Sequence, residues 1–173
     1  MKCSENAEYW QVSMKALHQP SLHHIYISQG HDYWGRRGEG RLQNGIIECG
    51  EVECVAGKGL RGDRYFDYRE NFKGQVTFFD LRVVEEIRER FKLPKLPASV
   101  FRRNLVVSGA DLRAWKGEVF TFQGIQFEGT QECKPCHWMD RVIEDGAEDF
   151  LKSDFRGGLR ARILTDGNLR TDA

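Results

Sequence analysis

The sequence predicts a mainly β fold, a largely antiparallel β-barrel with a few helices at its periphery. Three observations support this prediction. Predicted strands outnumber predicted helices, consecutive strands are joined by tight turns, and 173 residues suffice for one domain with a substantial core. Apolar residues make up 40% and charged residues 30%, which is typical of a folded globular chain. We expect residues 1–20 to form an N-terminal tail and residues 21–170 to form the domain.

The charge balance and the apolar runs exclude some partners. Lysine and arginine together number 26, and aspartate and glutamate together also number 26. The basic excess that is typical of nucleic-acid-binding proteins is therefore missing. No run reaches the roughly 18–20 apolar residues of a membrane-spanning helix, and the first residues lack the apolar core of a secretory signal. We therefore expect a cytoplasmic protein with no nucleic-acid or membrane partner. Its five cysteines would stay reduced in that compartment.

Four segments form the first part of the predicted domain. The β-branched and aromatic residues of 22–28 predict a strand, and the glycines and charges of 28–45 predict a loop. Residues 46–56 have the composition of one or two strands. Residues 57–74 form a predicted long loop with four glycines. A loop of this length inside a compact domain is usually functional or disordered.

The most regular pattern lies between residues 75 and 91. Residues 75–80 predict a strand, and residues 80–91 predict a helix with Asp80 as its N-cap. The prolines of the next segment, LPKLPAS, end this helix. The apolar positions that recur at helical spacing, and that we expect to pack on the barrel, are Leu81, Val84, Ile87 and Phe91.

Four further elements complete the predicted domain. Residues 102–109 end in an apolar strand, and residues 118–130 alternate on both sides of Gln123-Gly124, which predicts a hairpin. Residues 137–152 predict a short helix. Residues 159–167 predict a closing strand.

Residues 130–140, TQECKPCHWMD, contain a C-x-x-C-H pattern that several chemistries share. A structural zinc site needs four ligands, but the adjacent Cys136 and His137 rarely bind one metal together. The other two cysteines of the domain, Cys49 and Cys54, are an odd number of residues apart. On a straight strand they would therefore face opposite sides.

Three other interpretations of the pattern also stay open. Attachment of c-type haem fits the letters but requires export from the cytoplasm. A thioredoxin-like pair fits Pro135, but that motif belongs to a parallel βαβ unit, and an antiparallel hairpin precedes it here. Two buried cysteines that only pack would be unusual beside Glu132, Lys134 and His137.

The last interpretation is a single thiolate that ligates a metal or accepts sulfur. Such a thiol needs positive charge nearby to lower its pKa. Three separate stretches offer this charge, each beside glycine or at a strand edge: Lys58, Arg61 and Arg64; Arg102 and Arg103; Arg160 and Arg162. Arginine binds phosphate with two N–H groups, and glycine lets backbone N–H groups approach an anion.

Four motifs in order resemble the MOSC domain, the module named for the C-terminal part of molybdenum cofactor sulfurases. GKGLRGDRY resembles its glycine-rich G-x-G-(I/L)-x-G-D-R-(H/Y) loop, and GQVTFFD resembles its Q-V-T/S strand. FRRNLVVSGADL and the later cysteine segment resemble the family's R-R-N stretch and its cysteine segment. RGGLRARILTDG resembles its closing strand. The similarity runs from about residue 22 to residue 167.

The resemblance implies a β-barrel-rich fold that binds molybdenum cofactor, a molybdopterin. The metal thiolate of cofactor-binding members aligns with Cys136, which leaves Cys133 as a neighbour, and Asp63 would orient the loop. At the family level the resemblance also carries an association with pyridoxal phosphate. The predicted cofactor-binding residues are Lys58, Arg61, Gly62, Asp63, Arg64, Arg103, Asn104, Arg160 and Arg162.

The resemblance leaves three functions open for this standalone, bacterial-type module. It could hold molybdenum cofactor, reduce N-hydroxylated compounds with a separate electron-donor protein, or carry sulfur received from a cysteine desulfurase. The last two would make it an oxidoreductase or a sulfur transferase. One departure concerns the glycine-rich loop, which ends in Tyr65 where many members have histidine.

Overall fold

The computed structural model describes residues 19–32 and 40–172 of the chain. Most of the predicted tail, residues 1–18, lies outside the described residues, as does part of the predicted loop 28–45. The described strands are β1 Ser21–Ile27, β2 Ile47–Cys49, β3 Glu51–Val55, β4 Gly59–Leu60, β5 Val76–Asp80, β6 Leu105–Ser108, β7 Val119–Phe122, β8 Ile125–Glu132, β9 Leu159–Ile163 and β10 Gly167–Arg170. The helices are α1 Leu81–Arg90, α2 Trp138–Val142 and α3 Ala147–Lys152, with a 3-10 helix at Ala98–Phe101.

The fold is mainly β, as predicted. A seven-stranded sheet has the order β2-β1-β6-β5-β9-β8-β7, and a three-stranded sheet has the order β10-β3-β4. Every pairing is antiparallel except that of β5 with β6, which α1 and the 3-10 helix connect. In the described part of the chain, β2 and β7 form the two edges of the larger sheet without pairing to each other. Closure into a barrel is therefore not confirmed.

Two apolar clusters cover the two faces of the larger sheet. The first lies between the two sheets and includes Phe78, Phe127 and Leu169. The second lies under the helices, where Phe79 and Val106 of the sheet contact α1, α2 and α3. Neighbouring residues of a strand face opposite sides, so Phe78 and Phe79 belong to different clusters.

The local patterns of the sequence explain the elements that were predicted. The side chain of Asp80 accepts a hydrogen bond from the N–H of Arg82 and caps α1, as expected. Val84 and Ile87 are buried on this helix, and Leu81 and Phe91 pack beside them. The hairpin turns at Gln123-Gly124, where both residues have a positive φ.

Other parts of the structure differ in detail from the sequence predictions. Residues 46–56 form two strands, in agreement with the predicted one or two, whereas residues 137–152 form two short helices instead of one. The predicted long loop contains the two-residue strand β4, and β10 comes after the predicted closing strand. The short β4 and β10 both pair with β3, and no local pattern reveals such a pairing. No helix of the described residues is long and apolar enough to cross a membrane.

A close backbone crossing at Gly129 in β8 generates a stability prediction. A Cβ atom at this position would lie 2.0 Å from the carbonyl oxygen of Trp115. Gly129→Ala should therefore destabilise the fold by about 3 kcal/mol, because backbone must move to relieve the overlap. The melting temperature should fall by roughly 6–12 °C.

Gly50→Ala is the matched control for this variant. A Cβ atom at Gly50 would meet nothing within 4 Å, so its effect should stay within about 0.5 kcal/mol. Urea unfolding of wild type and both variants measures the difference. Equal stability of the two variants would contradict the crossing at Gly129.

Candidate functional site

Asp63 holds the glycine-rich loop against the larger sheet. Its buried carboxylate accepts hydrogen bonds from the N–H groups of Ser28 and Tyr65, both at 3.1 Å, and from the side-chain amide of Asn104 at 3.3 Å. Gly62 precedes it with φ +85°, a backbone conformation that L side chains rarely adopt. Within this loop, Gly62 allows the turn and Asp63 attaches it to the sheet.

Asn104 joins three strands through its side chain and backbone. Its Nδ2 donates to the carbonyl oxygen of Tyr26 at 3.0 Å as well as to Asp63. Its Oδ1 accepts from the N–H and the hydroxyl of Thr77 at 3.0 and 2.9 Å. Tyr26 lies on β1, Thr77 lies on β5, and Asn104 precedes β6. Both N–H donors and both acceptor positions of this buried side-chain amide are therefore used in hydrogen bonds within the protein.

Arg64 combines burial with an unused hydrogen-bond donor. Its side chain is 13% exposed, and its guanidinium lies 3.6 Å from Asp63 and 4.7 Å from the ring centroid of Tyr65. Its Nε is buried and has no hydrogen-bond partner among the described residues. Buried polar atoms in proteins are nearly always paired, so this nitrogen is a donor available for an anion.

Arg103 lies next to the cysteine segment. Its Nε donates to the carbonyl oxygen of Gly157 at 3.0 Å. A Cβ atom at Gly157 would lie 1.8 Å from the carbonyl oxygen of Cys133 and 3.4 Å from Pro135. The N–H of Cys133 in turn donates to Gly158 at 2.8 Å. Gly157 therefore lies against the backbone of the cysteine segment and accepts a hydrogen bond from Arg103.

The two cysteines of the segment differ in exposure. Cys133 is 2% exposed, and Cys136 is half-buried. The carbonyl oxygen of Cys136 accepts a hydrogen bond from Met139 at the start of α2. A thiol that ligates a metal or accepts sulfur must be reached from outside. This difference agrees with the choice of Cys136, whose role stays a prediction.

Arg160 lies beside the residues that Asn104 holds. On β9 it stands opposite Thr77 of β5 and Gln131 of β8, so the three side chains share one face of the sheet. The aliphatic stem of Arg160 is close to Gly74 at the end of the glycine-rich loop. We name Arg64, Arg103 and Arg160 the arginine cluster, because each adjoins the bonded residues Asp63, Asn104 and Thr77: Arg64 follows Asp63, Arg103 precedes Asn104, and Arg160 stands opposite Thr77.

The other three predicted basic residues lie in ion pairs with carboxylates. Arg61 forms an exposed ion pair with Glu53, which strengthens the proton binding of Arg61 and raises its pKa. Arg162 pairs with Glu128 at 2.9 Å. Lys58 lies 3.4 Å from a carboxylate oxygen of Asp67, and Lys58 and Arg162 line a separate cavity of about 590 Å³.

Two residues of this region were missed by the sequence analysis. Thr77 lies in the quoted GQVTFFD motif, but its bonds to Asn104 depend on the parallel pairing of β5 with β6. The ring of His31 stands edge-on to Tyr65 with ring centroids 5.6 Å apart. His31 falls in a predicted loop, so no periodic pattern marked it.

The structure also bears on the other interpretations of the cysteines. Burial raises the pKa of Cys54 to about 12, and it also raises the pKa of Cys49, which disfavours thiolates at both positions. Cys133 continues an antiparallel strand, whereas a thioredoxin-like pair starts a helix in a βαβ unit. Within residues 19–32 and 40–172, no three His, Cys, Asp or Glu side chains are grouped to hold a metal ion.

Comparisons with known proteins point to one family. The model of the MOSC domain matches residues 63–173, more than half of the chain. The YuaD protein from Bacillus subtilis has a similar structure, with a TM-score of 0.60 and 19% identity over 88% of this chain and 92% of that chain. YiiM from Geobacillus stearothermophilus is similar with a TM-score of 0.63 and 13% identity, over 87% of this chain and 71% of that chain. YiiM from Escherichia coli has a TM-score of 0.58 and 16% identity, over 86% and 66% of the two chains.

These structural similarities, at such low identities, show a shared fold. None of the curated proteins matches the chain.

The hydrogen bonds of Asn104 generate a second stability prediction. Asn104→Ala should destabilise the fold by about 3 kcal/mol, because Asp63, Tyr26 and Thr77 each lose a buried partner. Asn168→Ala, an exposed position on β10, should change stability by less than about 0.5 kcal/mol. Chemical unfolding followed by tryptophan fluorescence measures both variants. A loss at Asn104 no larger than at Asn168 would refute the importance of this network.

Proposed function

The chain belongs to the MOSC domain family, and from this premise we propose that it holds molybdenum cofactor, or a persulfide destined for that cofactor, at Cys136. One observation carries the proposal. The members of the arginine cluster come from three separate stretches of the sequence, each adjoins the hydrogen bonds of Asp63, Asn104 and Thr77, and Arg103 bonds to Gly157 beside the cysteine segment.

The residues present fit the chemistry of such a cofactor. A thiolate sulfur is a soft ligand, which suits molybdenum. A pterin cofactor also carries a phosphate, and arginine binds phosphate through paired N–H groups. The buried Nε of Arg64 has no partner among the described residues, so an anion at this position would satisfy it.

Each residue of this chain would have a distinct task. Arg64 and Arg160 would bind the anionic end of the cofactor, and Arg103 would hold the cysteine segment through Gly157. Asp63 and Asn104 would keep the glycine-rich loop in place. When bound, the cofactor would supply two-electron redox exchange at molybdenum. The half-buried thiol of Cys136 would supply the protein ligand.

The alternative function is reduction of N-hydroxylated compounds, and a cleft favours it. This cleft of about 1080 Å³ is lined in part by Trp138, Arg141 and Val142 of α2. Because α2 begins two residues after Cys136, a small substrate in the cleft would lie near the thiol segment. This function requires a separate electron-donor protein. A sulfur carrier would instead take sulfane sulfur from a cysteine desulfurase onto Cys136.

Substitution of each cysteine tests the proposal. Cys136→Ser should lower the molybdenum or sulfane-sulfur content at least about tenfold, because serine offers no soft ligand and forms no persulfide. Cys133→Ser should keep more than about half of that content, since its thiol is buried and its main contact is through the backbone. The measurement is molybdenum, pterin and sulfane sulfur in protein purified from a host with intact cofactor synthesis.

The same two variants distinguish the competing interpretations. A redox pair or a zinc site would make both substitutions equally severe. Packing alone would leave the content unchanged, with only a moderate loss of melting temperature. Molybdenum with pterin supports cofactor binding, and sulfane sulfur without molybdenum supports the carrier. The proposal fails if wild type contains none of the three, or if Cys136→Ser retains them.

A further inference from the structure

His31 lies against the residues that would bind the anionic end of the cofactor. Its imidazole ring meets the ring of Tyr65 edge-on, with the centroids 5.6 Å apart and an interplanar angle of 79°. Tyr65 ends the glycine-rich loop directly after Arg64. The guanidinium of Arg64 packs on the same Tyr65 ring at 4.7 Å. The ring of Tyr65 therefore contacts both the imidazole of His31 and the guanidinium of Arg64.

The position of His31 is fixed by the hydrogen bonds of its segment. The hydroxyl of Ser28 and the guanidinium of Arg102 both donate to the carbonyl oxygen of Gly30, at 2.9 and 3.0 Å. The side-chain amide of Asn44 donates to the carbonyl oxygen of His31 at 2.5 Å. The N–H of Ser28 donates to Asp63. The segment that carries His31 is thereby tied to the anchor of the glycine-rich loop.

The charges that face His31 make it responsive to an anion. Burial lowers its pKa, Arg64 and then Arg102 lower it further, and Asp63 acts in the opposite direction. The lowered pKa favours the neutral ring, which has one N–H donor and one acceptor nitrogen. An anion bound at Arg64 would offset the charge of the guanidinium. It would also accept a hydrogen bond from the imidazole and favour its protonated form.

We propose that His31 is a positioning residue of this site, which donates a hydrogen bond to the phosphate held by Arg64 and takes up a proton when that phosphate binds. The inference rests on the proposed function, because it assigns this region to the anionic end of the cofactor. It extends that function by naming a residue outside the family motifs and by coupling phosphate binding to proton uptake.

A titration of the cofactor-free protein tests the inference directly. The protein is made in a host without cofactor synthesis, and the imidazole signals are followed by NMR with and without inorganic phosphate. Phosphate should raise the pKa of His31 by about one unit, the size of one neighbouring charge. In Arg64→Gln, the pKa without phosphate should be higher than in wild type, and the response to phosphate should be lost. The signals of His23, which bonds to Ser108 at the other end of β1, serve as an internal reference.

Two variants test the hydrogen bond itself. His31→Ala should weaken phosphate binding about tenfold, and His31→Gln should restore part of the loss because its amide still donates. In His31→Ala/Tyr65→His, an imidazole stands directly after Arg64, and binding should recover in part. Thermal melting checks that every variant is folded.

The outcomes separate this inference from the proposed function. If phosphate leaves the pKa of His31 unchanged, or if His31→Ala binds phosphate as wild type does, the inference is wrong. If wild type from a host with cofactor synthesis retains molybdenum and His31→Ala retains the same amount from pH 6 to 8, the inference is also wrong while the proposed function stands. If no variant or wild type retains cofactor or sulfur, the proposed function fails, and the NMR result alone decides whether His31 and Arg64 bind an anion together.

Discussion

The contact between Asp63 and Asn104 is the interaction on which the candidate site depends. A buried carboxylate is costly unless it is fully hydrogen-bonded, and here two backbone N–H groups and one amide supply the bonds. The same amide binds β1 and β5, so the glycine-rich loop is attached to the centre of the larger sheet. Arg64 and Tyr65 come directly after Asp63, so the hydrogen bonds of Asp63 also constrain where these two residues lie. A polar network thus holds this loop against the sheet.

Position along β9 distinguishes two arginines that share one face of the sheet. Phe78 and Phe79 pack into the apolar clusters on opposite faces of the sheet. Thr77 next to them is polar, and its hydroxyl donates a hydrogen bond to Asn104. Arg160 lies beside Thr77, and Arg162, two residues further along β9, reaches Glu128 and a different cavity. A spacing of about 7 Å along a strand is enough to separate two charges that look equivalent in the sequence.

Local patterns predicted most of the fold, and contacts between distant segments account for the rest. The helix capped by Asp80 and the hairpin at Gln123-Gly124 arise from neighbouring residues alone. The smaller sheet and the open strand order depend on pairing partners that no local pattern specifies. The site shows the same division. Asp63, Arg64 and Asn104 stand in recognisable motifs, but the ion pair of Arg61 with Glu53 and the ring contact of His31 with Tyr65 appear only when the strands and loops are placed.

The place of β9 in the sheet order has a consequence for biosynthesis. This strand is near the end of the described chain, and it lies between β5 and β8 in the larger sheet. While the ribosome is still producing residues before β9, β5 and β8 each have an unpaired edge, and the cysteine segment lacks the Gly157-Gly158 backbone that holds it. Unpaired strand edges invite pairing with other chains. The nascent protein therefore passes through a stage with two unpaired strand edges, and the backbone that holds the cysteine segment is completed only after translation of the last strands.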